Sequence, residues 1–212
     1  MRELEHLFEK NRKWSEARTQ QDPEFFKRLS LQQSPEYLWI GCSDSRIPAN
    51  QVIGLEPGEV FVHRNVANLV LNTDFNCLSV IQFAVVVLKV KHVIVCGHSG
   101  CSGVKTAMGT NQMGLADNWL RNIRDVYAHH KNELNSISDE RRRYARLCEL
   151  NVIRQALNVC HTTIIQNAWA RGQKLCIHGW AYELTDGLLR DLNCVVSSPD
   201  QIEPAHRLHH EV

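Results

Sequence analysis

The sequence predicts an α/β fold, with helices flanking a β-sheet and a helical arm ahead of it. From Tyr37 onward, short apolar runs alternate with longer helical patterns, the signature of a sheet covered by helices. Before that point, the segment from Met1 to Leu31 is charged but carries large apolar side chains at Leu4, Leu7, Phe8, Trp14, Phe25, Phe26 and Leu29, as an amphipathic helix does. A length of 212 residues suits one domain with such an arm. The expected division is an arm over 1–34, an α/β core over 35–200 and a tail over 201–212.

The arm is expected to break near Asp22-Pro23, because proline is tolerated in a helix's first turn but not in its interior. Its apolar side chains need a surface to lie on. Strands are expected over Tyr37 to Cys42, Glu59 to His63, Lys91 to Cys96, Lys174 to Gly179 and Asn193 to Ser197. Between them Asp74 to Leu88 reads as helix, with Thr73 or Asp74 as its N-cap. A break at Met108 to Gly114 precedes helical patterns over Leu115 to Lys131 and Asp139 to Arg171. There is no internal repeat and no low-complexity tract.

Composition excludes several classes of function. With 24 Lys and Arg against 23 Asp and Glu, the net charge of +1 gives no electrostatic case for a nucleic-acid groove or an anionic membrane. No stretch approaches the ~20 apolar residues of a membrane span, and Met1-Arg2-Glu3-Leu4-Glu5 lacks the apolar core of a secretion signal. The expectation is a cytoplasmic protein. The eight cysteines are scattered, several inside apolar runs such as Val93-Ile94-Val95-Cys96, and most read as reduced core residues.

Two clusters stand out: Cys42-Ser43-Asp44-Ser45-Arg46, closing one expected strand, and His98-Ser99-Gly100-Cys101, following another. Ligands collect beyond the carboxyl ends of strands in open α/β sheets, so the two segments can converge. Thiolate and imidazole are preferred ligands of zinc. Cys42, His98 and Cys101 supply two sulfurs and one nitrogen, which leaves one coordination position for water, substrate or a further protein ligand. Asp44 is the candidate for that place. If the strand geometry persists, Cys42, Asp44 and Arg46 share a face. The Asp44 carboxylate then chooses between the metal and a bidentate pair with Arg46.

At these residues the chain resembles the β-class carbonic anhydrases. Cys42-x-Asp44-x-Arg46 matches the family's first motif and His98-x-x-Cys101 its second. The similarity continues through Glu56-Pro57-Gly58-Glu59, Phe61 to Asn68 and His178-Gly179-Trp180-Ala181-Tyr182. The resemblance implies a mainly parallel sheet of four strands plus an antiparallel edge strand. It also implies an N-terminal arm wrapped over a partner subunit, assembly as a dimer or a dimer of dimers, and one Zn2+ per subunit. The implied reaction is the reversible hydration of carbon dioxide to bicarbonate and a proton, for which zinc lowers the pKa of water to about 7. Cys42, His98 and Cys101 would hold the metal, and Asp44, paired with Arg46, would orient the nucleophile. Gln33 from a neighbouring subunit would orient bicarbonate, and Val66 and Phe83 would line the carbon dioxide path. Many relatives carry tyrosine at the position of Phe83.

A bacterial, bicarbonate-regulated subset of the family closes its site when the motif's aspartate binds zinc, with bicarbonate held in a separate pocket of tryptophan, arginine and tyrosine. Trp39, Arg64 and Tyr182 match that pocket. The resemblance therefore implies closure by Asp44 at low pH and in bicarbonate.

Two other functions compete. A related hydrolase acting on carbon disulfide or carbonyl sulfide would use the same site. A regulatory or assembly protein would keep a permanently closed one, a reading that Arg46 opposes by giving Asp44 somewhere else to go. No phosphate-binding glycine loop and no Cys-x-x-Cys pair is present, which disfavours nucleotide and redox roles. The eleven histidines identify no proton shuttle.

Overall fold

The structure is a computed structural model that describes residues 3–31 and 33–208; the last four residues of the expected tail, His209 and His210 among them, lie outside the described residues. The chain divides into two compact units, Met1–Ser34 and Pro35–Val212.

The first unit holds α1 (Glu5–Gln21) and α2 (Phe25–Leu31). The break falls where proline demanded it. Asp22 turns the chain by accepting from the Glu24 backbone N–H at 3.1 Å and pairing with Arg28. Trp14 and Phe25 both meet Phe26 edge-on, with ring centres 5.6 and 5.0 Å away. Neither helix buries a residue, and Leu4, Leu7, Phe8, Trp14 and Leu31 all remain exposed.

The second unit is a five-stranded sheet in the order β2-β1-β3-β4-β5. The strands are β1 (Tyr37–Cys42), β2 (Val60–Asn65), β3 (His92–His98), β4 (Cys176–Glu183) and β5 (Leu188–Val196). The first four run parallel and β5 is antiparallel to β4. β1 keeps its expected bounds, whereas β5 begins five residues before the expected Asn193. Asp186-Gly187 explains the difference: Gly187, at φ 73°, closes a hairpin that lets β5 pair with β4 from Leu188 onward.

The helices are α3 (Ala49–Ile53), α4 (Phe75–Gln82), α5 (Ser102–Met108), α6 (Ala116–His129), α7 (Lys131–Ser136), α8 (Glu140–His161) and α9 (Thr163–Ala170). Asp74 caps α4, accepting from the Asn76 N–H at 3.1 Å. The continuation over Phe83–Val87 widens to a π-turn, closed by Leu88 N–H to Phe83 O at 3.0 Å. The helical pattern expected over Asp139 to Arg171 is two helices. Thr162 leaves the helix at ψ 145° and caps α9 by accepting from the Ile165 N–H.

One face of the sheet buries Leu38, Ile40, Val93, Val95 and Ile177 against α4, α8 and α9. The other gathers Trp39, Ile94 and Cys96 with Ala49, and Trp180 and Tyr182 pack partly buried beside them. The core leaves no room where β3 passes α8. A Cβ on Gly97 would lie 2.5 Å from Val152 Cγ2 and 3.2 Å from Asn68 Oδ1. Val152 is fully buried and stiff at χ1, so it cannot step aside freely. Gly97→Ala is expected to cost about 1–3 kcal/mol of stability, read from the urea midpoint. An unchanged midpoint would show slack in the backbone here.

Candidate metal centre

Cys42 is the last residue of β1 and His98 the last of β3, and these neighbouring parallel strands deliver both to one end of the sheet. Gly100, at φ 68°, turns the chain after His98, and Cys101 then precedes α5. Cys42, His98 and Cys101 are 6%, 1% and 2% exposed. The two sulfurs lie 3.9 Å apart.

The donor set fits zinc. His98 Nδ1 lies 2.9 Å from Ser99 O, an arrangement in which its N–H donates and Nε2 carries the lone pair. Nε2 is buried and has no hydrogen-bond partner, a cost the fold accepts where a cation is to bind. Two sulfurs each about 2.3 Å from a tetrahedral ion sit roughly 3.8 Å apart, close to the separation seen here. The thiols also favour a cation electrostatically. The Cys101 thiol lowers the Cys42 pKa by donating to its thiolate, while Cys42 and burial push Cys101 far above the ordinary thiol range. One thiolate forms readily, and the second needs a positive charge beside it.

Asp44 faces Arg46. Arg46 Nε donates to Oδ1 at 2.9 Å, Nη2 to Oδ2 at 2.6 Å, and the Arg46 backbone N–H to Oδ1 at 3.0 Å. This pairing is made by a turn, not by strand geometry: β1 ends at Cys42, and Ile47 N–H closes back on Asp44 O at 3.1 Å. Arg46 also donates to Gly100 O at 3.2 Å, tying the two motifs together. The guanidinium holds the Asp44 carboxyl well below the usual carboxylate range. Asp44 Oδ2 is 3.8 Å from His98 Nε2.

Val66 stands at the same end of the sheet. Its Cγ1 would be 3.1 Å from a Cβ on Gly103, two residues beyond Cys101. Phe83 stacks on Phe61 of β2, ring centres 5.8 Å apart, and stays 43% exposed. Gln33 is exposed and belongs to the first unit.

Trp39, Arg64 and Tyr182 share the sheet face opposite the main core. Trp39 and Tyr182 belong to one cluster, and the register sets Arg64 beside Gly41. The Trp39 indole nitrogen lies over that same glycine, 2.3 Å from where a Cβ would be. Arg64 Nε donates to Cys42 O at 2.8 Å and Nη2 donates to Asp44 O. Neither Trp39 Nε1 nor the Tyr182 hydroxyl makes a hydrogen bond among the described residues.

Several supporting groups escaped the sequence reading. Ser99 Oγ donates to Glu183 at 2.6 Å and accepts from the Leu184 N–H, pinning the His98 loop to the end of β4. The Tyr144 hydroxyl donates to Cys101 O at 2.5 Å. Trp119 Nε1 donates to Val66 O at 2.8 Å. On α8, Asn151 and Asn158 donate to Ala67 O and Val70 O, and Gln155 accepts from Val70 N–H. This row steadies Ala67 and Asn68, both at left-handed φ. Its spacing of four and three residues on a buried helix face was the available signal.

A family model described as carbonic anhydrase matches residues 37–189. A carbonic anhydrase of Emericella nidulans is 51% identical over 187 residues, 88% of this chain and 82% of its own. The structure of Coccomyxa beta-carbonic anhydrase in complex with acetazolamide superposes with a TM-score of 0.90 at 39% identity, covering 94% of this chain and 90% of that one. A structure of tetrameric beta-carbonic anhydrases from the ascomycete Sordaria macrospora gives a TM-score of 0.87 at 39% identity, over 92% and 98% of the two chains. The match runs from the first strand into the fifth, and it takes in both segments that meet at Cys42 and His98. The chain therefore belongs to the β-class carbonic anhydrases, enzymes that hydrate carbon dioxide.

Proposed function

We propose that the chain hydrates carbon dioxide with one zinc ion held by Cys42, His98 and Cys101, and that Asp44 opens and closes the site under control of pH and bicarbonate. The observation that carries this is the buried, unpartnered His98 Nε2, facing two thiols of which one ionises readily, with Asp44 held 3.8 Å away by Arg46. A zinc ion at that place supplies the Lewis acidity that lets water deprotonate near neutral pH.

The residues then have separate tasks. Asp44, kept ionised by Arg46, is an acceptor that fixes the orientation of the nucleophile's remaining O–H. Val66 and Phe83 offer apolar surface to carbon dioxide, which has no charge to be held by. Gln33, supplied by a neighbouring subunit, donates to bicarbonate. The exposed apolar side chains of α1 support assembly as a dimer or a dimer of dimers, which would cover them. Eight free cysteines, six of them buried, suit a reducing compartment, which supports a cytoplasmic location. Among the described residues no helix is long and apolar enough to cross a membrane.

Regulation of the kind known in the bicarbonate-sensitive bacterial subset follows from Arg64. Its guanidinium holds the carbonyls of Cys42 and Asp44, and the free N–H of Trp39 and O–H of Tyr182 lie on the same face of the sheet. A bicarbonate ion taken up by these three groups draws Arg64 off the Asp44 carbonyl and loosens the turn that keeps Asp44 on Arg46. Closure by Asp44 is the result. Initial-rate hydration across a pH series, with and without added bicarbonate, tests this on the wild type and on Arg64→Ala. The wild type should lose activity on the acidic side, and bicarbonate should move that loss to higher pH. In Arg64→Ala the bicarbonate effect should be absent; the same shift in both proteins would contradict the pocket.

A further inference from the structure

We propose a second metal site, for a borderline-soft divalent cation such as Zn2+ or Cd2+, formed by His63 of β2 with Asp74 and Cys77 at the start of α4. Among the described residues only two groups of three ligand-type side chains converge closely enough to hold an ion. One is the catalytic set and the other is this one, whose ligand atoms all lie within 4.8 Å of one another. It stands apart from Cys42, His98 and Cys101 and shares no residue with them.

The three groups are gathered without satisfying each other. Cys77 is fully buried and His63 is 7% exposed, yet no hydrogen bond or ion pair joins any two of the three. His63 Nε2 is met at 3.3 Å by the Asn65 amide, whose other N–H donates to Leu69 O at 2.7 Å, which leaves Nδ1 as the ring's unpaired nitrogen. His63 Nδ1 and the Cys77 thiol make no hydrogen bond among the described residues. Asp74 uses Oδ1 to cap α4, and its Oδ2 is free of hydrogen bonds.

A bridging cation resolves the arrangement. Zinc at about 2.0–2.3 Å from nitrogen, oxygen and sulfur spaces its donors roughly 3.3–3.8 Å apart, so the three side chains need to close by about an ångström. One thiolate, one imidazole and one carboxylate give zinc or cadmium a mixed soft and hard set and leave a position for water. Asp74 is partly exposed and Phe75 beside it is 82% exposed, which opens a way in from the surface. Burial favours the neutral, ligating form of His63 and raises the Cys77 thiol to about 12, so binding must displace a proton from sulfur. The ion would staple the end of β2 to α4.

Zn2+ binding to the full-length, tag-free chain, by equilibrium dialysis at pH 8 with proton release followed in a pH-stat, tests the site. The wild type should bind two equivalents, the second more weakly and with release of about one proton from Cys77. In Cys101→Ala, which lacks the catalytic site, the equivalent held by His63, Asp74 and Cys77 should remain. Cys77→Ala should abolish the second equivalent. Asp74→Asn, which still caps α4, should weaken it about tenfold or more. A single equivalent in the wild type overturns the proposal. So does a second equivalent that persists in Cys77→Ala, that keeps its full affinity in Asp74→Asn, or that binds without proton release, which would be a surface histidine site.

Discussion

Cys101→Ala is expected to lose both its catalytic zinc and its carbon dioxide hydration, with activity falling by about 10³-fold or more. In the proposed centre the side chain gives the metal one of two sulfurs, and its thiol favours the Cys42 thiolate by donating to it. Removing it leaves Cys42 and His98, with Asp44 engaged by Arg46, too few ligands to hold zinc against free chelators. The fold should survive, because Cys101 sits beyond the end of β3 and its carbonyl, not its sulfur, anchors Tyr144. Zinc by atomic absorption, hydration by stopped flow and helix content by circular dichroism separate these effects. A folded variant that keeps zinc and activity would remove Cys101 from the ligand set.

Asp44→Asn is expected to keep zinc and lose about 10²-fold or more in kcat/KM, since the three metal ligands stay intact while the charged acceptor is gone. It should also lose its acidic closure. The sign follows from the carboxyl's position below the usual range: Asp44 stays ionised as pH falls through the region where free carboxylates protonate, so in the proposed closure it would reach the metal as a carboxylate. In the proposed closure, loss of wild-type activity at mildly acidic pH would come from exchange of Asp44 between Arg46 and the metal, not from its protonation. An asparagine, lacking the charge that competes for the metal, should flatten that acidic limb. An unchanged limb in Asp44→Asn would assign it to another group.

Much of the site was legible because its chemistry is local in sequence. Cys42 to Arg46 and His98 to Cys101 are short motifs at strand ends, and parallel pairing of β1 with β3 brings them together without further instruction. The strand stops at Cys42 as expected, so the extended geometry that would set Asp44 and Arg46 on one face does not persist, and a turn does the aligning. The groups that support the site were not legible because they act across long separations. Tyr144 reaches the Cys101 carbonyl from α8, and Asn151, Gln155 and Asn158 hold the segment after β2 from the same helix. Their meaning depends on where α8 crosses the sheet, which pattern alone does not set. The fold showed the same division. Tyr37–Cys42 was plain from its apolar run, but β5 was read short because its first half, Leu188 to Leu192, alternates weakly and owes its pairing to the Asp186-Gly187 turn. Thr162 divided an apparently continuous helix because its side chain could cap what followed.

The most direct measurement is stopped-flow carbon dioxide hydration at alkaline pH on the protein stripped of metal by chelation and then titrated with Zn2+. Activity should be absent from the stripped protein and should rise linearly to a plateau at one equivalent per chain, the point at which Cys42, His98 and Cys101 are filled. Hydration that persists without zinc, or a protein that takes up its zinc and stays inactive, would contradict the assignment of these three residues as the catalytic metal centre.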